Sequence, residues 1–274
     1  MPKIVEYAEV KRVKSKQKRE NKRLKKFFLI VLFLGLVVVV SGFLSGLFSF
    51  GGGSSTNLFS GLFAKKNQIA SHSYYMVSMG TYNSLAEAES VASGTAVMGA
   101  GSYVWFYKSK FYVVGNIYKS ISDAEAVYNN IKNTGNYEIS VEEIPFKKLT
   151  INNSNYTAEQ NQTVKGAITF IGSLYEKCYD YALRVDKSEV NTTLVSSELN
   201  SLKSEAKIYA SKLDAINSYA VSELVLNTKN AYITIIDALD AAILKVIAGN
   251  SANSDLKYLV AQVVSAKYNL YQNI

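Results

Sequence analysis

Aromatic and small side chains alternate along segments between residues 74 and 114, and this alternation is the sequence feature best suited to binding chemistry. In a β-strand, successive side chains point to opposite faces of the sheet. One set of alternate positions is apolar and suited to packing beneath helices: Val77, Val104, Phe106, Phe111 and Val113. The other set would occupy the opposite face: Tyr74, Met76, Ser78, Tyr103, Trp105, Tyr107, Tyr112 and Val114. If that second face is open, it presents a tryptophan and several tyrosines to water.

An open face of this kind is suited to binding a neutral sugar polymer. Aromatic rings stack on the C–H faces of sugars, while phenol and indole groups form hydrogen bonds with hydroxyl and acetamide groups. Monomeric proteins seldom leave so large an amphipathic patch unused. We therefore predict glycan binding by six residues: Met76, Ser78, Tyr103, Trp105, Tyr107 and Tyr112. The alternative is that the patch packs against the C-terminal part of the chain or a second copy, because aromatic residues in strands more often serve packing.

The sequence supplies little catalytic or metal-binding chemistry. Cys178 and His72 are the only cysteine and histidine, so one chain cannot build a Cys/His zinc site or a His-based triad. Carboxylates are spread along helix faces rather than paired. Cys178 lies on an apolar helical stripe, which predicts a buried thiol, and we expect His72 in a solvated loop. We predict no catalytic residue, no metal site and no cofactor, and we expect that the protein is not an enzyme.

Positive charge is concentrated at the N-terminus. Residues 1–26 hold eleven of the 30 Lys and Arg and three of the 22 Asp and Glu, which leaves 19 of each in the rest of the chain. Residues 27–50 carry no charge, and as a helix they would span about 36 Å, enough for a bilayer core of about 30 Å. The pattern predicts a basic cytoplasmic tail, one transmembrane helix and export of everything that follows. Since the remainder is neutral, we expect no nucleic-acid partner.

The exported part begins with a linker over 51–72 and then changes to alternating strands and helices. Strands are predicted over 74–79, 102–108, 110–118 and 137–144. Helices are predicted after Ser84 and after Ser120 or Ser122, which are suitable N-cap residues. The order β-α-β-β-α-β is that of a ferredoxin-like domain, in which two helices cover one face of a four-stranded antiparallel sheet.

Residues 73–144 resemble the SPOR domain family. The first half of its motif is matched by residues 75–82, which read YMVSMGTY, and the second half by residues 111–120, which read FYVVGNIYKS. Ser78, Tyr112 and Ile117 stand where the family usually has Gln, Arg and Pro. The resemblance implies binding of peptidoglycan, particularly glycan strands stripped of their stem peptides, at division or sporulation septa.

After Pro145 and a linker over 147–157, the pattern becomes helical. Four apolar stripes step by alternating three and four residues through 158–274, with breaks near 186–191, 217–222 and 249–254. This spacing predicts an antiparallel helical bundle. The bundle shows no site chemistry, so we expect it to be a scaffold that docks another division or sporulation protein.

These predictions together give an α+β fold class with a single N-terminal transmembrane helix, a ferredoxin-like domain at 73–146 and a C-terminal helical bundle at 158–274. The leading functional hypothesis is a peptidoglycan-binding protein of the cell membrane, with a cytoplasmic N-terminus and extracytoplasmic domains. The alternative is a protein–protein interaction scaffold of the cell envelope that does not bind glycan.

Overall fold

The computed structural model describes residues 67–132, 137–249 and 252–274, all of which belong to a compact unit that runs from Phe59 to Ile274. The predicted basic tail at 1–26, the predicted transmembrane helix at 27–50 and most of the predicted linker at 51–72 lie outside the described residues.

A four-stranded antiparallel sheet forms the first half of the described chain. Its elements are β2 (His72–Tyr82), α1 (Leu85–Ala96), β3 (Tyr103–Tyr107), β4 (Lys110–Tyr118), α2 (Ile121–Ile131) and β5 (Ser140–Phe146). The strands lie in the order β3-β4-β2-β5, and every neighbouring pair is antiparallel. Strands β2 and β4, which are first and third in the β-α-β-β-α-β unit, are therefore central, as in a ferredoxin-like sheet.

Local sequence signals explain the ends of several of these elements. The Ser84 hydroxyl accepts a hydrogen bond from the Glu87 amide and caps α1. The β3–β4 hairpin turns at Lys108 and Ser109, which have φ values of 47° and 62°. Two successive left-handed residues are the requirement of a type I′ turn, whose twist matches that of the strands it joins.

A second, two-stranded sheet pairs β1 (Gln68–Ile69) with β6 (Leu149–Thr150). Both strands fall in segments that the sequence predicts to be linkers. The pairing holds the two ends of the ferredoxin-like unit together, since β1 precedes its first strand and β6 follows its last.

Four long helices complete the fold: α3 (Ala158–Asp186), α4 (Thr192–Asn217), α5 (Glu223–Ala248) and α6 (Ala252–Gln272). Thr157 and Gln160 form a capping box at the start of α3. Helix α5 ends at Gly249, whose φ of 78° is the left-handed conformation that glycine adopts without steric cost. Buried side chains of the sheet and of all four helices form one continuous hydrophobic cluster, so the two halves share a core.

The predicted fold class requires correction. Within the described ranges, no helix combines the length and apolarity needed to cross a bilayer. The long helices bury one side and carry charges on the other, as α5 does with Lys229, Asp237, Asp240 and Lys245. The described chain is α+β with six helices and two sheets.

Candidate functional site

The sheet face that bears the aromatic residues, here called the ring face, is covered by the chain's own helices. Met76 and Ser78 have no exposed surface, and Trp105, Tyr107 and Tyr112 are 3%, 2% and 6% exposed. Tyr103 is half-buried. The expectation of an open face is therefore wrong for five of the six residues, with Tyr103 half-buried at the edge. The alternative, packing against the C-terminal part of the chain, is what the structure contains.

Strand alternation nevertheless assigns the residues to the correct faces, although Phe106, which is predicted to pack beneath the helices, is 60% exposed. Val77, Val104, Phe111 and Val113 belong to two smaller clusters beneath α1 and α2, on the opposite side of the sheet from the ring face. The error concerns what covers the ring face. It does not concern which side chains share that face.

Helix α6 crosses β3, β4 and β5 and supplies tyrosines that meet the rings of the sheet. The Tyr268 ring lies edge-on to Trp105 at 5.6 Å and to Tyr107 at 5.2 Å, measured between ring centroids. Tyr258 contacts Tyr103 in the same way at 5.2 Å. Edge-to-face pairs of this kind contribute about 0.5–1.5 kcal/mol each beyond the area that they bury.

Phenol hydroxyls in this interface bind the protein itself. The Tyr107 hydroxyl donates to the Glu143 carbonyl at 2.9 Å, and the Tyr175 hydroxyl of α3 donates to the Ile117 carbonyl at 3.1 Å. The Tyr103 hydroxyl donates to Ser265 Oγ at 3.3 Å. Two donors that the glycan hypothesis assigns to sugar hydroxyls are thus used within the fold, because Tyr107 bonds to β5 and Tyr103 bonds to α6.

Ser78 has a local structural role. Its hydroxyl donates to the Gly80 carbonyl at 2.7 Å and accepts from the Gly80 amide at 3.2 Å. The pairing of β2 with β4 shifts register on either side of Ser78, so these bonds satisfy backbone groups where the ladder is interrupted.

A buried lysine lies where the ring face meets α6. Lys267 is 4% exposed, and its ammonium lies 2.8 Å from His72 Nε2 and 3.3 Å from the Tyr74 hydroxyl. It also lies 5.1 Å from the ring centroid of Tyr74 and 5.0 Å from that of Phe146. An ammonium only donates, so Nε2 accepts, and the proton on Nδ1 is directed to the Ala70 carbonyl, 3.2 Å away. We call Lys267, His72 and Tyr74 the Lys–His–Tyr cluster.

Burial controls the ionisation of this cluster. Burial, followed by the charge of Lys119, lowers the pKa of Lys267 to about 8, while the charge of Glu176 opposes the shift. Burial, followed by the charge of Lys267, lowers the pKa of His72. Within the described chain, no carboxylate forms an ion pair with Lys267. The ammonium is instead stabilised by cation–π contacts with Tyr74 and Phe146 and by the hydrogen bond to the His72 imidazole.

The prediction that His72 lies in a solvated loop is therefore wrong. It begins β2, and its ring stacks on Phe146 with 4.9 Å between centroids and 5° between planes. The burial of Lys267 could have been inferred from the sequence. This lysine lies among the mostly apolar residues of α6 from Leu259 to Leu270, where a solvent-facing lysine would not be expected.

Tyr103 lines a shallow groove of about 200 Å³ between α5 and α6. The groove is uncharged and rich in amide side chains: Asn227, Asn230, Gln262, Asn269 and Asn273. The Asn227 amide donates to the Asn273 carbonyl at 2.7 Å. Tyr103, one of the six predicted glycan-binding residues, therefore lies in a polar and partly accessible groove at the edge of the ring face.

The described residues contain no group of three or more His, Cys, Asp and Glu side chains placed to hold a metal ion. Cys178 is buried, as its place on the apolar stripe predicts, and burial raises the pKa of its thiol to about 12. The thiol is therefore protonated at neutral pH and is a poor nucleophile.

Comparisons with protein-family models, with curated proteins and with solved structures found no match for this chain. The resemblance to the SPOR family therefore remains a prediction from the sequence.

Proposed function

We propose that the protein is a protein–protein interaction scaffold whose ring face is an internal interface. The observation that carries this proposal is the burial of Trp105, Tyr107 and Tyr112 beneath α6. A glycan strand cannot stack on these rings while the helix occupies the same space.

Removing the helix to admit a ligand would be energetically costly. Full burial of one large apolar side chain stabilises a fold by about 1.5–3 kcal/mol, and the ring face contributes several to the shared core. A ligand would have to replace these contacts and the tyrosine hydrogen bonds as well. The ring face is therefore better explained as a built-in docking surface for the helices.

The outer side of α5 is a candidate surface for the partner. Leu226, Ile233, Leu244 and Ile247 are 41%, 46%, 70% and 63% exposed. Their spacings of 7, 11 and 3 residues place them along one side of a helix with 3.6 residues per turn. Asp237 and Asp240 lie within the same stripe. An apolar stripe with a few carboxylates suits an amphipathic protein surface better than a neutral sugar polymer.

Two experiments on the full chain test the scaffold proposal. Purified protein is first incubated with cell-wall sacculi, with and without amidase treatment, and we expect no co-sedimentation in either case. A photo-cross-linking amino acid is then placed at Leu244 in cells, with Lys207 as an exposed control position on α4. We expect one discrete protein adduct from Leu244 only. Amidase-dependent co-sedimentation would contradict the proposal.

Peptidoglycan binding by an opened form is the second candidate function. The observation that favours it is the buried ammonium of Lys267 in the interface, because such a group weakens the attachment of α6 relative to an apolar side chain. On this view the ring face would bind denuded glycan at a division or sporulation septum after α6 has moved. A Tyr268→Asp variant that weakens the interface should then gain binding to amidase-treated sacculi, whereas the scaffold proposal expects none.

The cellular location stays a prediction. A fluorescent fusion distinguishes a septal position from an even distribution around the cell envelope, and it bears on both candidate functions.

A further inference from the structure

A cavity of about 350 Å³ lies on the opposite side of the sheet from the ring face. Val77 and Met79 of β2 line it from the sheet, Val127 lines it from α2, and Met98 lines it from the segment after α1. The volume falls within the usual range of small-molecule sites. The cavity opens to solvent beside Met98, which is 55% exposed.

The cavity is lined by residues of two apolar clusters, one beneath α1 and one beneath α2. Met79, Ala88, Ala92 and Val113 form the cluster beneath α1. Val77, Tyr118 and Ala124 form the cluster beneath α2. The fully buried positions of both helices are alanines apart from Thr95, and the longer side chains of Val127 and Ile131 on α2 line the cavity.

Gly115 contributes to the same space from β4. A Cβ atom at this position would lie 3.2 Å from the side chain of Met79 and 3.3 Å from the Val77 carbonyl. The absence of a side chain therefore lets Met79, which lines the cavity, pack closely against β4.

The polar groups at the cavity carry no net charge. Lys257 Nζ donates to the Gly99 carbonyl at 2.8 Å and forms an ion pair with Asp186 at 2.9 Å. Asn116 is 5% exposed, and its side-chain oxygen accepts from the Ile117 amide at 2.9 Å. An anionic ligand would thus find no unpaired cation here, and a cationic ligand no unpaired carboxylate.

Two methionines make the walls adaptable. Met79 and Met98 both line the cavity, and Met98 is 55% exposed at its edge. The Tyr137 hydroxyl lies 4.0 Å from the Met98 sulfur. Unbranched thioether side chains adjust to ligands of different outline at little cost, and the exposed position of Met98 gives a route of entry.

We propose that this cavity is a binding site for a neutral, largely apolar small molecule, such as a single hydrocarbon chain or a fused ring system, whose one polar group lies beside Asn116. Such a ligand would bind because burial removes its apolar surface from water and gives it dispersion contacts with the walls. This site is separate from the ring face and from the α5 stripe, so it adds a ligand to the proposed scaffold.

The test is a fluorescence titration of the full chain with the neutral probe N-phenyl-1-naphthylamine. We expect saturable binding at one site, and displacement of the probe by 1-decanol at lower concentrations than by decanoate. Val127→Trp, which places an indole in the cavity, should weaken probe binding at least tenfold. Leu85→Trp adds the same ring on the exposed side of α1 and should leave affinity unchanged.

A second pair of variants keeps the result interpretable. Met98→Trp fills the cavity from its exposed edge and should also weaken binding, and circular dichroism shows whether each variant is folded. Leu244→Asn removes an exposed apolar residue of α5 and should have no effect. Non-saturable binding, binding lost in Leu244→Asn, or unchanged affinity in folded Val127→Trp and Met98→Trp would overturn the proposal.

Discussion

The ammonium of Lys267 on α6 lies 2.8 Å from Nε2 of His72, the first residue of β2, and this contact joins the helix to the ring face. The sole histidine of the chain and a lysine without a carboxylate partner among the described residues thus meet inside an aromatic interface. The ionisation of Lys267 and His72 should therefore affect the free energy of unfolding and its dependence on pH.

Replacement of Lys267 by methionine should stabilise the protein. Burial lowers the pKa of Lys267 to about 8, so the ammonium is retained at pH 7 at a cost in folding free energy. Methionine fills a similar volume without that cost, and we expect a gain of about 1–2 kcal/mol in the free energy of unfolding, measured by urea denaturation at pH 7.

Lys257→Met is the matched control for this experiment. Lys257 also lies on α6, but it forms an ion pair with Asp186, so its loss leaves a partly buried carboxylate without a partner and should destabilise the protein. Equal destabilisation by the two substitutions would contradict the account of the Lys–His–Tyr cluster.

Stability should also fall as the pH is lowered through the region near 6.5. The pKa of His72 is lower in the folded protein than its ordinary value of 6.5, so the unfolded chain binds the proton first. Acidification therefore favours unfolding, with a slope of at most about 1.4 kcal/mol per pH unit for one proton. Urea titrations between pH 7.0 and 5.5, where Lys267 with its pKa of about 8 stays protonated, measure this slope. His72→Phe should remove it. A slope that persists in His72→Phe would assign the effect to other groups.

Trp105 and Phe106 are neighbours on β3 with opposite surroundings, because Trp105 is 3% exposed and Phe106 is 60% exposed. Trp105→Ala should destabilise the protein by about 3–5 kcal/mol, since it leaves a large cavity in the shared core. Phe106→Ala should cost no more than about 1 kcal/mol, from lost contact with Phe111. Thermal and urea unfolding of the pair measure the difference. Similar, small losses from both would indicate an open ring face.

Ser78 should matter for stability. Its buried hydroxyl serves the backbone of Gly80, so Ser78→Ala leaves polar groups unsatisfied at the strand irregularity and should cost about 1–3 kcal/mol. Ser73→Ala is the control, because its hydroxyl bonds to Glu143 at an exposed position and should change stability by less than about 1 kcal/mol. A neutral Ser78→Ala that reduces glycan co-sedimentation would support a binding role instead.

The sequence identifies which residues share a face because strand alternation has a strict period of two. That period places Val77 and Val113 beneath the helices and Trp105 and Tyr107 together on the other side, as the structure has them. It contains no information about what covers a face. The decision between an open and a packed ring face depends on contacts between distant parts of the chain.

The sequence of α6 does indicate that this helix is buried on more than one side. A single apolar stripe through Leu259, Val263 and Leu270 predicts burial on one side, yet Val260, Ala261 and Val264 are apolar as well, and all six are buried. An apolar surface this wide requires partners on more than one side, here the other helices and the sheet. The small β1–β6 sheet carries no such clue, because strands of two residues are too short to show a period.

The fluorescence of Trp105, the only tryptophan of the chain, tests the burial of the ring face most directly. Because α6 covers this side chain, we predict blue-shifted emission and weak quenching by acrylamide in the folded full chain, with a red shift and strong quenching only on unfolding. Red-shifted emission that acrylamide quenches strongly before unfolding would show an open ring face and contradict the account.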